Sequence, residues 1–88
     1  MLERRSRTDM LVEVLNVLNE RSPQLKTHIL YKINANFNMC VTYLNELEQK
    51  GLIEKHCPET KGERFSWIIT QKGLSALKLY QNFKEIMG

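Results

Sequence analysis

The chain has 88 residues, 42% apolar and 26% charged, which suits one soluble domain with one hydrophobic core and leaves no room for a second. A net charge of +3 and a pI near 9.0 permit contact with a polyanion without demanding it. No apolar run approaches the roughly 18 to 20 residues of a membrane-spanning helix. The charged residues 1–8 are not followed by the apolar segment of a leader peptide, so an intracellular, cytoplasmic protein is expected.

The first helix is expected over residues 4–20. Met10, Leu11, Val14, Leu15 and Leu18 recur at three- and four-residue spacing, with Glu13, Asn16, Asn19 and Glu20 on the other side. Ser6 or Thr8 can supply the N-cap oxygen, and Asp9 suits the positive end of the helix dipole. Pro23 ends the run and biases Ser22 to extended geometry.

A short second helix follows over 25–33, with Leu25, Ile29, Leu30 and Ile33 facing inward. Asn34 is suited to a left-handed C-terminal turn and Asn36 to the N-cap of the next helix. The third helix, 36–50, is expected to bury Phe37, Cys40 or Val41, Leu44 and Leu47 and to stop at Lys50-Gly51. Its other face then shows Asn38, Met39, Thr42, Tyr43, Asn45 and Glu46.

Residues 52–57 and 65–70 place β-branched and aromatic residues on both sides of the turn-rich 58–64, which predicts a hairpin over 52–70 with Lys61 and Arg64 near its tip. Thr70 can cap a last helix over 71–87. The apolar residues of that helix cover too wide an arc for one stripe: Leu74 and Leu77 can close the core, whereas Leu79, Tyr80, Phe83, Ile86 and Met87 suit a subunit contact. A fold-back of this helix over the first is the alternative. A chain this short buries only about 60 to 65% of its unfolded surface, so pairing of two copies adds buried area where it is scarce.

Cys40 and Cys57 lack any CxxC spacing and read as reduced thiols, and with His28 and His56 they make no regular four-ligand set, so no metal is expected. Paired carboxylates, a Gly-rich phosphate loop and a nucleophile–base motif are all missing. The chain therefore reads as neither an enzyme nor a cofactor carrier.

Three helices, a hairpin and a last helix make an α+β, mostly helical pattern: a winged helix-turn-helix with a C-terminal dimerisation helix, on one domain over 1–88. Such a unit lays its third helix in a DNA major groove. That assigns Asn38, Met39, Thr42 and Tyr43 to base edges, Lys26, Thr27 and Asn36 to the adjoining helix start and turn, and Arg4, Arg5, Arg7, Lys61 and Arg64 with Lys26 to phosphates.

The segments Arg4-Arg5-Ser6-Arg7 before Asp9-Met10, Lys26-Thr27-His28-Ile29-Leu30-Tyr31-Lys32 with Asn34, and Tyr43-Leu44 carry a family resemblance. So do Glu48-Gln49-Lys50-Gly51-Leu52-Ile53 and Ile69-Thr70-Gln71-Lys72-Gly73 before Leu77. In these segments, across nearly its whole length, the chain resembles the small winged-helix DNA-binding proteins of archaea typified by the ten-kilodalton Sulfolobus chromatin-type protein. The resemblance implies double-stranded DNA as partner, a nucleoid-associated location and a two-fold dimer through the C-terminal helix, here Leu79 to Met87. Two departures matter. The last helix is shorter than the family's, and no Lys or Arg lies between Lys32 and Lys50, whereas members that coat DNA carry lysines on the third helix.

Neutral side chains there weaken nonspecific coating, whose affinity comes from cation–phosphate contacts, but preserve base-edge reading. A dimeric transcriptional regulator is the leading expectation. The alternatives are a protein-interaction module using the third helix, with Tyr43 as an exposed aromatic, and an architectural chromatin protein.

Overall fold

The computed structural model describes residues 6–56 and 66–87. Arg4, Arg5, Cys57, Lys61 and Arg64 lie outside the described residues. Helix α1 is Arg7–Glu20, α2 is Lys26–Ile33, α3 is Phe37–Gln49, strands β1 and β2 are Ile53–His56 and Ser66–Ile69, and α4 is Gln71–Met87.

Each helix starts and stops for a local reason. Ser6 caps α1 in a capping box: its hydroxyl accepts the Asp9 N–H at 3.0 Å, and the Asp9 carboxylate accepts the Ser6 N–H at 3.1 Å. Asn34 ends α2 in the left-handed region at φ 56°, and the Asn36 side-chain oxygen caps α3 by accepting the Met39 N–H at 2.8 Å. Gly51 leaves α3 at φ +78°, where a Cβ would be strained. Leu25 precedes α2 as its N-cap rather than lying within it, and no side chain caps that end.

The core gathers Met10, Val14, Leu15 and Leu18 of α1, Ile29 and Ile33 of α2, and Cys40, Tyr43, Leu44 and Leu47 of α3. Ile53, Trp67 and Leu77 close it from the sheet and α4. Phe37 is a correction: expected inside, it is 55% exposed. At the first residue of α3 it projects past the packed faces of the three-helix core, and the Lys26 ammonium lies 4.6 Å from its ring centre.

Strands β1 and β2 pair antiparallel, with Ile53 opposite Ile69 and Lys55 opposite Trp67. Gln24 extends this hairpin: its backbone exchanges both hydrogen bonds with Trp67, at 3.0 and 2.8 Å. Its buried side-chain amide donates to the Val17 and Arg21 carbonyls at the end of α1, at 3.0 and 2.9 Å. One residue thus ties α1, the connection to α2 and the wing.

The joint between α3, the wing and α4 is made by Thr70. Its N–H donates to the Leu52 carbonyl at 3.0 Å, its hydroxyl donates to the Gly51 carbonyl at 2.7 Å, and that same oxygen accepts the Gly73 N–H at 3.0 Å as the cap of α4. Gly73 lies so close to the Leu52 carbonyl that an added Cβ would come within 2.1 Å of that oxygen and 2.8 Å of Ile69 Cγ1.

The first half of α4 folds onto α1. The Tyr80 hydroxyl donates to the Asp9 carboxylate at 3.1 Å, and the Gln81 amide lies 3.4 Å from the Asn16 oxygen. Tyr80, assigned from the sequence to a subunit contact, is thus half-buried with its hydroxyl engaged within the chain. Leu79, Phe83, Ile86 and Met87 are exposed, and at 100° per residue the first three fall within about 60° of arc, one apolar stripe.

Two stability outcomes follow. Gly73→Ala forces the start of α4 away from Leu52 and should cost about 3 kcal/mol, the upper range for overpacking, read by urea denaturation. The carboxyl of Asp9 is held below the ordinary carboxylate range, chiefly by the Ser6 N–H, then by the Ser6 and Tyr80 hydroxyls and the Lys84 charge. Its stabilisation is present above the unfolded pKa and is lost as pH falls through the lower folded value. Asp9→Ala should accordingly lower Tm at neutral pH, with the gap to the parent closing on acidification.

Candidate nucleic-acid interface

On α3, burial divides the helix into an inner arc of Cys40, Tyr43, Leu44 and Leu47 and an opposite arc of Asn38, Thr42, Asn45 and Gln49, all exposed. The outward residues are spaced by four, three and four positions, which keeps them on one line along the helix. None carries a charge. They present three amides and one hydroxyl, whose hydrogen is donated to the Asn38 carbonyl at 3.0 Å. That bond leaves the methyl group and the oxygen lone pairs of Thr42 for an outside partner.

Tyr43 is not part of this face. It is 8% exposed, because it sits one residue before Leu44 and three after Cys40, in the middle of the buried arc. Burying its ring contributes about 2 kcal/mol, which an outward pose would forgo. Asn36 keeps its place at the turn, but its side-chain oxygen is committed to the helix cap, leaving only the amide hydrogens for an outside acceptor. Met39 is exposed beside the stripe, and Thr27 is exposed on α2. Asn45 was read on the outward face but given no contact, and Gln49 is the outward residue that the sequence reading left out. Its signal was present as the continuation of Asn38, Thr42 and Asn45 at helical spacing.

Charge around α3 is balanced by partners from other elements. Arg7 of α1 pairs with Glu46, so its guanidinium is engaged on α3 rather than held out for phosphate. Lys55 of β1 lies 4.0 Å from the Glu48 carboxylate. Lys26, at the start of α2, leans over Phe37 and carries its charge to the junction of α2 and α3. A shallow depression lies between α2, α3 and the sheet, lined by Lys26, Val41, Leu44, Asn45, Lys55 and Trp67.

The Cys40 thiol is buried under α3, and burial pushes its pKa up, against a small opposing effect of the Lys26 charge. It packs as an apolar group rather than as a thiolate. Among the described residues no three His, Cys, Asp or Glu side chains gather as a metal ion would require, and no helix is long and apolar enough to cross a membrane.

The fold is similar to that of MepR from S. aureus in its DNA complex, with a TM-score of 0.78 and 16% identity, covering 90% of this chain and 65% of that one. It is also similar to FabT from Streptococcus pneumoniae in complex with DNA, with a TM-score of 0.74 and 22% identity over 93% of this chain and 60% of that one. A third likeness is to the PcaV transcriptional regulator from Streptomyces coelicolor, with a TM-score of 0.72 and 19% identity over 78% of this chain and 51% of that one. The chain thus spans about half to two thirds of the length of these proteins. No curated protein matches it significantly in sequence. In sequence it matches the winged helix-turn-helix family over residues 4–88, and with helix-turn-helix, wing and closing helix all in their places, the chain belongs to that family.

Proposed function

We propose that this protein is a dimeric transcriptional regulator that binds double-stranded DNA, with α3 in the major groove, and that it is a binding protein rather than an enzyme. The observation that carries the reading is the outward line of Asn38, Thr42, Asn45 and Gln49 on the helix that a helix-turn-helix presents to base edges. These side chains face away from the core, so their residue types answer to something outside the fold.

Met39, Thr27 and the amide of Asn36 flank the line and join the proposed contact. Phosphate anchoring falls to Lys26, to Arg4 and Arg5, and to Lys61 and Arg64 in the sequence between the two strands, with Arg7 acting chiefly through Glu46. The proteins solved as DNA complexes, MepR and FabT, support the DNA-binding reading through a shared fold. The apolar stripe of Leu79, Phe83 and Ile86, with Met87, supports a two-fold contact through α4. An archaeal origin, with the protein at work on the nucleoid in the cytoplasm, belongs to the proposal through the family resemblance alone, since pieces such as Lys72-Gly73 are common to many winged helices. The burial of Tyr43 removes one of the two supports for a protein-docking role for α3, the other being the neutral helix itself.

Fluorescence anisotropy with a random-sequence duplex over a salt series tests the reading. Binding near or below about 10 μM at low salt, with a slope reporting several released ions, is the expected result. No binding at low salt overturns it. Sedimentation tests the dimer: Phe83→Glu with Ile86→Glu should move the mass from dimer to monomer and lower duplex affinity roughly 100-fold by removing the second reading head.

A further inference from the structure

We propose that α3 selects A·T base pairs, so that each half of the target site is an A·T-rich run of a few base pairs. The proposal rests on the DNA-binding reading above and adds the class of sequence recognised. The outward line runs from Asn38 to Gln49, about 16 Å at the rise of an α-helix, long enough to lie along the groove over a few base pairs.

The chemistry of the line is selective. In the major groove adenine offers an acceptor and a donor side by side, N7 and the N6 amino group, and a carboxamide supplies the matching donor and acceptor. Asn38, Asn45 and Gln49 are three such groups, all exposed. Thymine offers a methyl group. The Thr42 methyl, with the exposed Phe37 and Met39 at the start of the helix, provides apolar surface to meet it.

The groups that would read G·C pairs are missing or engaged. Guanine presents two acceptors, N7 and O6, and is best matched by the paired donors of Arg or by Lys, yet α3 has no cation along its length. A carboxamide turned to guanine sets its own oxygen against one of those acceptors. Cytosine presents an amino donor suited to a carboxylate. The two acids of α3 with partners on other elements, Glu46 with Arg7 and Glu48 with Lys55, lie off the outward line.

The test begins with selection by the full chain from a pool of duplexes randomised over their central segment. Enrichment of A·T runs in each half-site is expected. On the enriched duplex, 7-deazaadenine in place of adenine removes N7 without altering base pairing, and uracil in place of thymine removes the methyl. Each should weaken binding at the positions read. Asn45→Ala and Gln49→Ala, both at exposed sites and checked for unchanged helicity by circular dichroism, should each reduce the preference for A·T over G·C roughly 5- to 100-fold with the salt slope unchanged. Enrichment of G·C-rich sites, or affinity indifferent to 7-deazaadenine and uracil, overturns the proposal. Tight binding without any sequence preference overturns it while leaving the DNA-binding reading intact, whereas no binding to any duplex at low salt overturns that reading as well.

Discussion

The close approach of Gly73 to the Leu52 carbonyl, locked by Thr70, is the constraint on which the rest of the structure depends. Three parts of the chain meet there: the end of α3, the base of the wing and the start of α4. Gly51 turns the chain out of α3 in a left-handed conformation, and the next carbonyl, that of Leu52, receives the Thr70 N–H. One hydroxyl then holds both sides, donating to Gly51 and accepting from Gly73. Only a residue without a Cβ fits at position 73. These bonds are short-range and directional, and with the backbone contact at Gly73 they constrain how α4 leaves the end of α3. The proposed reading helix and a helix bearing an exposed apolar stripe are thus linked at one joint.

Elements governed by local chemistry were legible in the sequence. The caps at Ser6, Asn36 and Thr70, the left-handed stops at Asn34 and Gly51, and the apolar repeat of α1 each depend on neighbours within four residues. What escaped depends on distant partners. Phe37 and Tyr43 both fit an amphipathic α3, and only the position of α2 and α1 decides that the first is left outside while the second is covered. The burial of Gln24 follows from its placement between the end of α1 and the edge of β2, a tertiary cap that no spacing announces. Tyr80 was set apart by the wide apolar arc of α4, but its hydroxyl finds Asp9, 71 positions away. On α3 itself, the outward placing of Asn38, Thr42 and Asn45 was legible, whereas the extension to Gln49 and the removal of Tyr43 came only with the packed helix.

Electrostatics around α3 follow a consistent logic. An acid beside a polyanion is repelled, and Glu46 and Glu48 are each met by a cation from another element. Such exposed pairs contribute little to stability, because solvent screens them and long side chains lose freedom on pairing. Their effect is on the field at the surface: without Arg7 and Lys55, α3 would carry uncompensated negative charge along its length.

If α3 reads DNA as proposed, its lack of cations changes the balance between affinity and selectivity. Cation–phosphate contacts bind every sequence alike, so they raise specific and nonspecific binding together, and a genome offers vastly more nonspecific sites. Amide contacts to base edges contribute only at matching positions. Taking charge off α3 therefore lowers the background more than the target, but it leaves a single domain with modest total affinity. The proposed pairing through Leu79, Phe83 and Ile86 answers that shortfall: two rigidly held copies would make the second contact intramolecular, multiplying affinity for a two-fold site without adding any sequence-blind charge. On the proposed reading, a neutral α3 and an apolar α4 stripe are complementary requirements of one binding strategy, and the Thr70–Gly73 joint is the part of the fold that links the two helices.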